Sequence, residues 1–119
     1  MKRCFRLVVI CLSLIFWYGT AVVRAAGGDA AAGKPLYERY CVGCHGVLGK
    51  GDRPAGKALI PPAADLTGVK SQRKLDAVLA NMIEHGKPGT EMAAWKGRLA
   101  DREINDVVAY IRTLGTPAP

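Results

Sequence analysis

Cys41-Val42-Gly43-Cys44-His45 is the stretch of this 119-residue chain that decides its fold. Two thiols three positions apart, followed directly by a histidine, form a C-x-x-C-H pattern, which is what covalent attachment of haem c requires. One turn of helix brings both sulfurs to the same edge of a flat macrocycle, and the imidazole then lies beneath the ring, where it can bind iron. The pattern predicts one covalent haem c on Cys41 and Cys44, with His45 as an axial ligand.

Three other interpretations of this pattern are weaker. A thioredoxin-like dithiol belongs near alternating strands and helices, and the sequence shows no such alternation. A structural zinc site needs four ligands, and the fourth would have to be the distant His85. A disulfide between Cys41 and Cys44 would close a tight, strained loop. Haem attachment is therefore favoured.

The first 25 residues have the pattern of a secretory signal peptide. A basic start without acidic residues precedes an almost continuous apolar run at 7–23, and Val23-Arg24-Ala25 resembles a cleavage site. We predict cleavage after Ala25, which leaves residues 26–119 as one domain in the periplasm. The alternative is an uncleaved anchor in the inner membrane, since the apolar run has the length of a short membrane span.

Removal of the first 25 residues changes the charge of the chain. That segment holds four basic residues and no acidic one, so the net charge falls from +7 to +3. The basic isoelectric point is therefore no evidence for nucleic-acid binding. Cys4 and Cys11 leave with the same segment, so only the C-x-x-C-H pair remains. The small domain that is left has a marginal core, to which a buried porphyrin would add a large apolar plate.

Capping residues and apolar spacing predict an all-α domain. Asp29 is placed to cap a first helix towards Tyr40. Pro35 lies within that helix, so we expect either a kink there or a regular part that starts near Lys34.

Two further helices are expected after a long, turn-rich segment that could wrap one edge of the haem. Ser71 is placed to cap the first of them, and Gly86 ends it. The last helix begins at Ala100 or Asp101 and ends at Gly115. The apolar faces of the two helices are formed by Leu75, Val78, Leu79, Met82 and Ile83, and by Ile104, Val107, Val108, Ile111 and Leu114.

Nearly the whole chain after the signal resembles the class I c-type cytochromes. In that family a glycine lies eight residues before the first haem cysteine and an aromatic residue follows four later, as Gly33 and Tyr37 do here. Residues 99–114 look like the family's closing pattern L-x-D-x-E-I-x-x-V-V-x-Y-I-x-x-L. The resemblance implies a cytochrome c fold, in which three to four short helices wrap around one haem. It also implies that the first and last helices cross at Gly33, against Val107 or Tyr110.

The same resemblance implies a methionine as the sixth iron ligand, from the loop before the last helix. Met92 has that position, although Ala93 replaces the proline that usually follows. Met82 falls on the apolar face of a helix and is expected to pack in the core. His85 is expected at the surface, and its use as a ligand would give a bis-histidine haem.

Secondary roles around the haem follow from the resemblance. The carbonyl of Pro61 or Pro62 is expected to accept a hydrogen bond from the proximal histidine. Trp95 is placed to pack on the haem or donate to a propionate, with plain packing as the alternative. Basic residues in the rim loops would form a docking surface for acidic partners: Lys50, Arg53, Lys57, Lys87, Lys96 and Arg98.

The resemblance implies a monomeric electron carrier rather than an enzyme, which exchanges electrons with redox protein partners. A membrane-tethered subunit of a reductase or oxidase is one alternative. An open-site haem protein with an enzymatic or gas-binding role is another, but nothing besides His85 could serve as a distal group. The stretch from Ile83 to Trp95 also looks like small cytochromes associated with haem cd1 nitrite reductases, which points to denitrification.

Overall fold

A computed structural model describes residues 27–115, so the predicted signal peptide lies outside the described residues. This part of the chain contains helices and turns and no strand, which agrees with the all-α prediction. Three longer helices are accompanied here by three short ones, which are the predicted turn at the C-x-x-C-H residues and two further helices that the sequence did not predict. None of the helices in residues 27–115 has both the length and the apolar character needed to cross a membrane. The helices are α1 Ala30–Tyr40, α2 Val42–His45, α3 Pro54–Lys57, α4 Val69–Gln72, α5 Asp76–His85 and α6 Asp101–Leu114.

The first helix begins at the predicted cap. The Asp29 carboxylate accepts hydrogen bonds from the main-chain N–H groups of Ala31 and Ala32, at 2.9 and 3.4 Å. Helix α1 then continues through Pro35 to Tyr40. A start near Lys34 is therefore wrong, because the Asp29 cap begins the helix one turn earlier and the proline costs it only one hydrogen bond.

Helices α1 and α6 cross at Gly33, as predicted. A Cβ atom on Gly33 would meet the main-chain oxygen of Asp106 at 1.9 Å, so only glycine allows this approach. Tyr37 and Val107 are fully buried beside the crossing. The rings of Tyr37 and Tyr110 pack with their centroids 5.2 Å apart.

We predict that Gly33→Ala destabilises the protein by about 2 kcal/mol, because the added methyl group collides with the main chain and forces the helices apart. The preference of helices for alanine over glycine, worth about 1 kcal/mol, acts in the opposite direction and is too small to compensate. Gly43→Ala is the matched control, since a Cβ atom on that helical glycine meets nothing within 4 Å. The free energy of unfolding of each variant is measured by chemical denaturation followed by circular dichroism. Equal stability of the two variants would contradict the prediction.

The predicted second helix is divided into two. Helix α4 ends at Gln72 and α5 begins at Asp76, so a single helix capped by Ser71 is wrong. The Ser71 hydroxyl instead donates to the carbonyl of Asp65, at 2.6 Å. At the break, the Arg112 guanidinium donates to the carbonyl of Gln72, at 2.7 Å, and to that of Lys74. The carbonyl of Gln72, which a continuous helix would use for its own ladder, is thus bonded to α6.

Candidate functional site

The C-x-x-C-H residues form the single helical turn that the pattern predicts. The main-chain N–H of His45 donates to the carbonyl of Cys41 at 2.9 Å. Cys41 is half-buried, Cys44 is exposed, and no disulfide joins them. Burial and the neighbouring Cys44 raise the pKa of the Cys41 thiol to about 11. A redox dithiol needs a lowered thiol pKa, so this environment does not favour the thioredoxin-like interpretation.

The ring of His45 is fixed by a main-chain carbonyl. Its Nδ1 lies 3.0 Å from the carbonyl oxygen of Ala64. Because a carbonyl can only accept, Nδ1 carries the proton and Nε2 keeps the lone pair that a metal needs. The structure therefore assigns the acceptor to Ala64 and corrects the prediction of Pro61 or Pro62.

The loop that carries Ala64 explains this correction. The N–H of Ala63 donates to the carbonyl of Gly56 at 2.9 Å, and the N–H of Leu66 donates to that of Gly49 at 2.6 Å. These two bonds fix the segment between them beside the C-x-x-C-H turn. Pro61 and Pro62 precede the first bond and are exposed.

A buried tyrosine joins the helical core to the turn. The Tyr37 hydroxyl donates to the carbonyl of Gly46, directly after His45, at 2.8 Å. Burial raises the pKa of Tyr37 above its usual range, so the phenol keeps the proton that it donates. On the other side of the turn, a Cβ atom on Gly56 would meet the Cys44 carbonyl at 2.1 Å. The turn is therefore packed between α1 and α3.

The segment Gly86–Trp95, called here the methionine loop, is closed on itself. The N–H of Lys87 donates to the carbonyl of Met92 at 3.0 Å. The N–H of Trp95 donates to the carbonyl of Ile83, also at 3.0 Å, which returns the loop to the end of α5. Met92 is half-buried and packs against the core.

One ring contact brings the methionine loop to the C-x-x-C-H turn. Tyr40, which precedes Cys41, packs against Trp95 with ring centroids 5.1 Å apart. The guanidinium of Arg98 lies 4.2 Å from the centroid of the Trp95 ring. Trp95 thus has packing partners of its own, and its predicted contact with haem stays a prediction.

The other ligand candidates lie on α5. His85 is exposed at the end of the helix, with Nδ1 3.2 Å from Asn81 Nδ2 and Nε2 3.7 Å from the Glu84 carboxylate. Met82 is half-buried, whereas the predicted packing in the core would bury its side chain fully.

The zinc alternative requires a cluster of His, Cys, Asp or Glu side chains, and residues 27–115 hold no group of three or more that could bind a metal ion.

The residues of this region fit haem c. A pair of free thiols, an imidazole with a free Nε2 and a thioether are the donors that a covalent haem with two axial ligands uses. Apolar side chains that are exposed in this structure could also pack against the porphyrin ring, which is a flat apolar surface. On α5, Leu79 and Ile83 are buried, whereas Val78 is 43% exposed and Leu75, directly before the helix, is 74% exposed. Further large apolar side chains are exposed at Val47, Leu48, Ile60 and Val69.

Known proteins resemble this chain in sequence and in fold. Residues 28–111 match the family model described as cytochrome c oxidase, cbb3-type, subunit III. The cbb3-type oxidase subunit FixP of Bradyrhizobium diazoefficiens is 35% identical over 89 residues, which cover 75% of this chain but only 29% of FixP. A cytochrome c6 from Thermostichus vulcanus is 32% identical over 112 residues, which cover 93% of this chain and 91% of that protein.

A solved structure has the same fold. The KustC0563 c-type cytochrome superposes with a TM-score of 0.61 at 25% identity, over 71% of this chain and 98% of that one. The expected cytochrome c fold is thus confirmed. The chain belongs to the family of the cbb3-type subunit III model and is a class I c-type cytochrome, whose cofactor is one covalently attached haem c.

Proposed function

We propose that the protein is a monomeric periplasmic electron carrier. In this proposal Cys41 and Cys44 attach haem c, and His45 and Met92 are its axial ligands. The observation that carries the proposal is the hydrogen bond from His45 Nδ1 to the carbonyl of Ala64, which leaves Nε2 free for iron, in the same helical turn as Cys41 and Cys44. The ring contact between Tyr40 and Trp95 supports the place of Met92, because it brings the methionine loop to the same turn.

The residues have distinct tasks in electron transfer. Ala64 holds the proton on His45 Nδ1 and so fixes the orientation of the ring. The closed loop fixes the main chain of Met92. Haem c bound there would supply a one-electron couple between Fe(II) and Fe(III). If His45 and Met92 both held the iron, they would leave no position for a substrate, which favours a carrier over an enzyme or a gas-binding protein.

Closed axial coordination can be tested with carbon monoxide. We expect the reduced protein to have the spectrum of low-spin haem c and to show no spectral change under carbon monoxide, because Met92 occupies the position that the gas would need. Reduction and reoxidation by small mediators should be reversible. Avid binding of carbon monoxide by the wild-type protein would contradict the proposal and favour the open-site alternative.

A free carrier and a membrane-tethered subunit are the two candidates for the protein's place in the cell. The cytochrome c6 relative, which this chain covers almost completely, supports the free carrier. FixP supports a subunit of an oxidase, but the similarity covers 29% of FixP. We propose the free carrier, with the inner-membrane form as the alternative.

We predict that the mature protein begins at Ala26 and carries a net charge of +3 before haem is counted, because the segment removed holds four basic residues and no acidic one. Mass spectrometry of periplasmic protein from the native host measures the N-terminus. Recovery of the uncleaved 119-residue chain in the membrane fraction would instead establish the tethered form.

The partners are proposed to be acidic redox proteins. All six basic residues of the predicted docking surface are exposed, but some of them interact with other side chains of the protein. The charge of Lys50 attracts the nearby Asp65 carboxylate. Lys96 pairs with Glu84 at 2.7 Å, and Arg98 lies over Trp95. Attraction to an acidic partner would speed encounter and weaken as salt rises. The likeness of the methionine loop to cytochromes associated with haem cd1 nitrite reductases makes such a reductase, and a role in denitrification, the pathway to test first.

A further inference from the structure

Thr90 connects the start of the methionine loop to Met92. Its hydroxyl donates to the carbonyl of Lys87 at 2.8 Å and accepts from the main-chain N–H of Met92 at 3.2 Å. Its own N–H also donates to the carbonyl of Lys87, at 3.1 Å. One side chain therefore bonds both to the turn that begins the loop and to the main chain of the proposed ligand.

The ends of the loop are anchored independently of this side chain. At the far end, the N–H of Lys96 donates to the carbonyl of Glu84 at 2.9 Å, and their side chains form an ion pair. At the near end, Gly86 has a φ of 71° and leaves no room for a Cβ atom, which would lie 2.5 Å from the Met92 carbonyl. Loss of the Thr90 hydroxyl should therefore loosen the interior of the loop and leave its attachment to α5 intact.

The residue at position 93 decides how much the main chain of Met92 depends on the Thr90 contacts. A proline after the methionine would fix the backbone there through its ring. Ala93 has no such constraint and is exposed. The restraint on Met92 must then come from other contacts. Within residues 27–115, the hydroxyl of Thr90 is the side-chain group that bonds to the Met92 main chain.

We propose that Thr90 is a positioning residue for Met92, and that its hydroxyl supplies the restraint that a proline at position 93 would give. This inference rests on the proposed ligation by Met92. It predicts that the thioether gives way more easily to an external ligand when the hydroxyl is removed, although Thr90 itself does not touch the iron.

The test is cyanide binding to the ferric holoprotein, measured by absorption. Thr90→Val keeps the shape of the side chain and removes the hydroxyl, and we expect cyanide to bind about fivefold more tightly, as the loss of one hydrogen bond predicts. Thr90→Ser keeps the hydroxyl and should stay close to the wild type. Thr113→Val is the matched control, because that hydroxyl donates to the Tyr110 carbonyl on α6, at 2.6 Å.

The outcomes separate this inference from the function on which it rests. If Met92→Ala opens the iron to cyanide while Thr90→Val behaves as the wild type, the role of Thr90 is refuted and ligation by Met92 stands. Equal changes in Thr90→Val and Thr90→Ser would also refute it, because the hydroxyl would then not be the group that matters. If Met92→Ala leaves cyanide binding unchanged, ligation by Met92 fails and the role of Thr90 fails with it.

Discussion

Replacement of both Cys41 and Cys44 by serine is expected to abolish covalent haem attachment completely. Each thiol can form one thioether bond, so Cys44→Ser alone should leave at most one. Acidified acetone should then extract all haem from the double variant and none from the wild type, as measured by absorption of the extract and by haem staining after denaturing electrophoresis. The yield of folded protein should fall as well, because a domain of this size has little core without the porphyrin.

The chain offers its own control for this experiment. Cys11 lies in the predicted signal peptide, so Cys11→Ser should leave haem attachment unchanged. His45→Ala should remove the proximal ligand while both thiols remain, which separates attachment from ligation. Haem that acetone extracts freely from the wild-type protein would defeat the proposed role of both cysteines.

The parts of the fold that the sequence predicted correctly depend on residue type at one position. A helix cap needs a short polar side chain, and Asp29 provides one. A close helix crossing needs a residue without a Cβ atom, and Gly33 meets the main chain of Asp106 where the spacing placed it. The C-terminal bound of α6 follows from an apolar repeat that ends at Leu114 and from Gly115, which caps the helix. Each of these signals is local, so it can be read without knowledge of the rest of the chain.

The sequence did not predict the acceptor of His45 or the break between α4 and α5, because both depend on main-chain atoms. The acceptor for His45 is the carbonyl of Ala64, and every residue type carries a carbonyl, so nothing in the residue marks the role. The predicted acceptors, Pro61 and Pro62, lie in the same loop as Ala64 but do not bond to His45. The break between α4 and α5 is stabilised by Arg112, which lies 40 positions from Gln72 along the chain. The apolar repeat begins at Leu75, on the α5 side of that break, so it gives no information about where α4 ends.

Met92→Ala is expected to have the largest effect on the redox properties. If the Met92 sulfur is the sixth ligand, the ferric variant loses the weak far-red charge-transfer band typical of iron–thioether bonding. Its reduction potential falls, because the thioether favours Fe(II). Cyanide affinity should rise more than about tenfold, since even a bond worth about 1.4 kcal/mol excludes a competitor by that factor. Absorption spectra, a redox titration and cyanide binding measure the three effects.

Met82→Leu is the matched control, because it removes the other downstream thioether at nearly constant volume. Met82 is half-buried on α5, outside the closed loop, so the band, the potential and cyanide binding should all stay as in the wild type. If Met82→Leu loses the band while Met92→Ala keeps it, Met82 and not Met92 is the ligand. If neither substitution changes the band, the sixth ligand is not a thioether. His85 is then the remaining candidate, although its Nε2 lies 3.7 Å from the Glu84 carboxylate and its ring would have to turn away from that contact to reach iron.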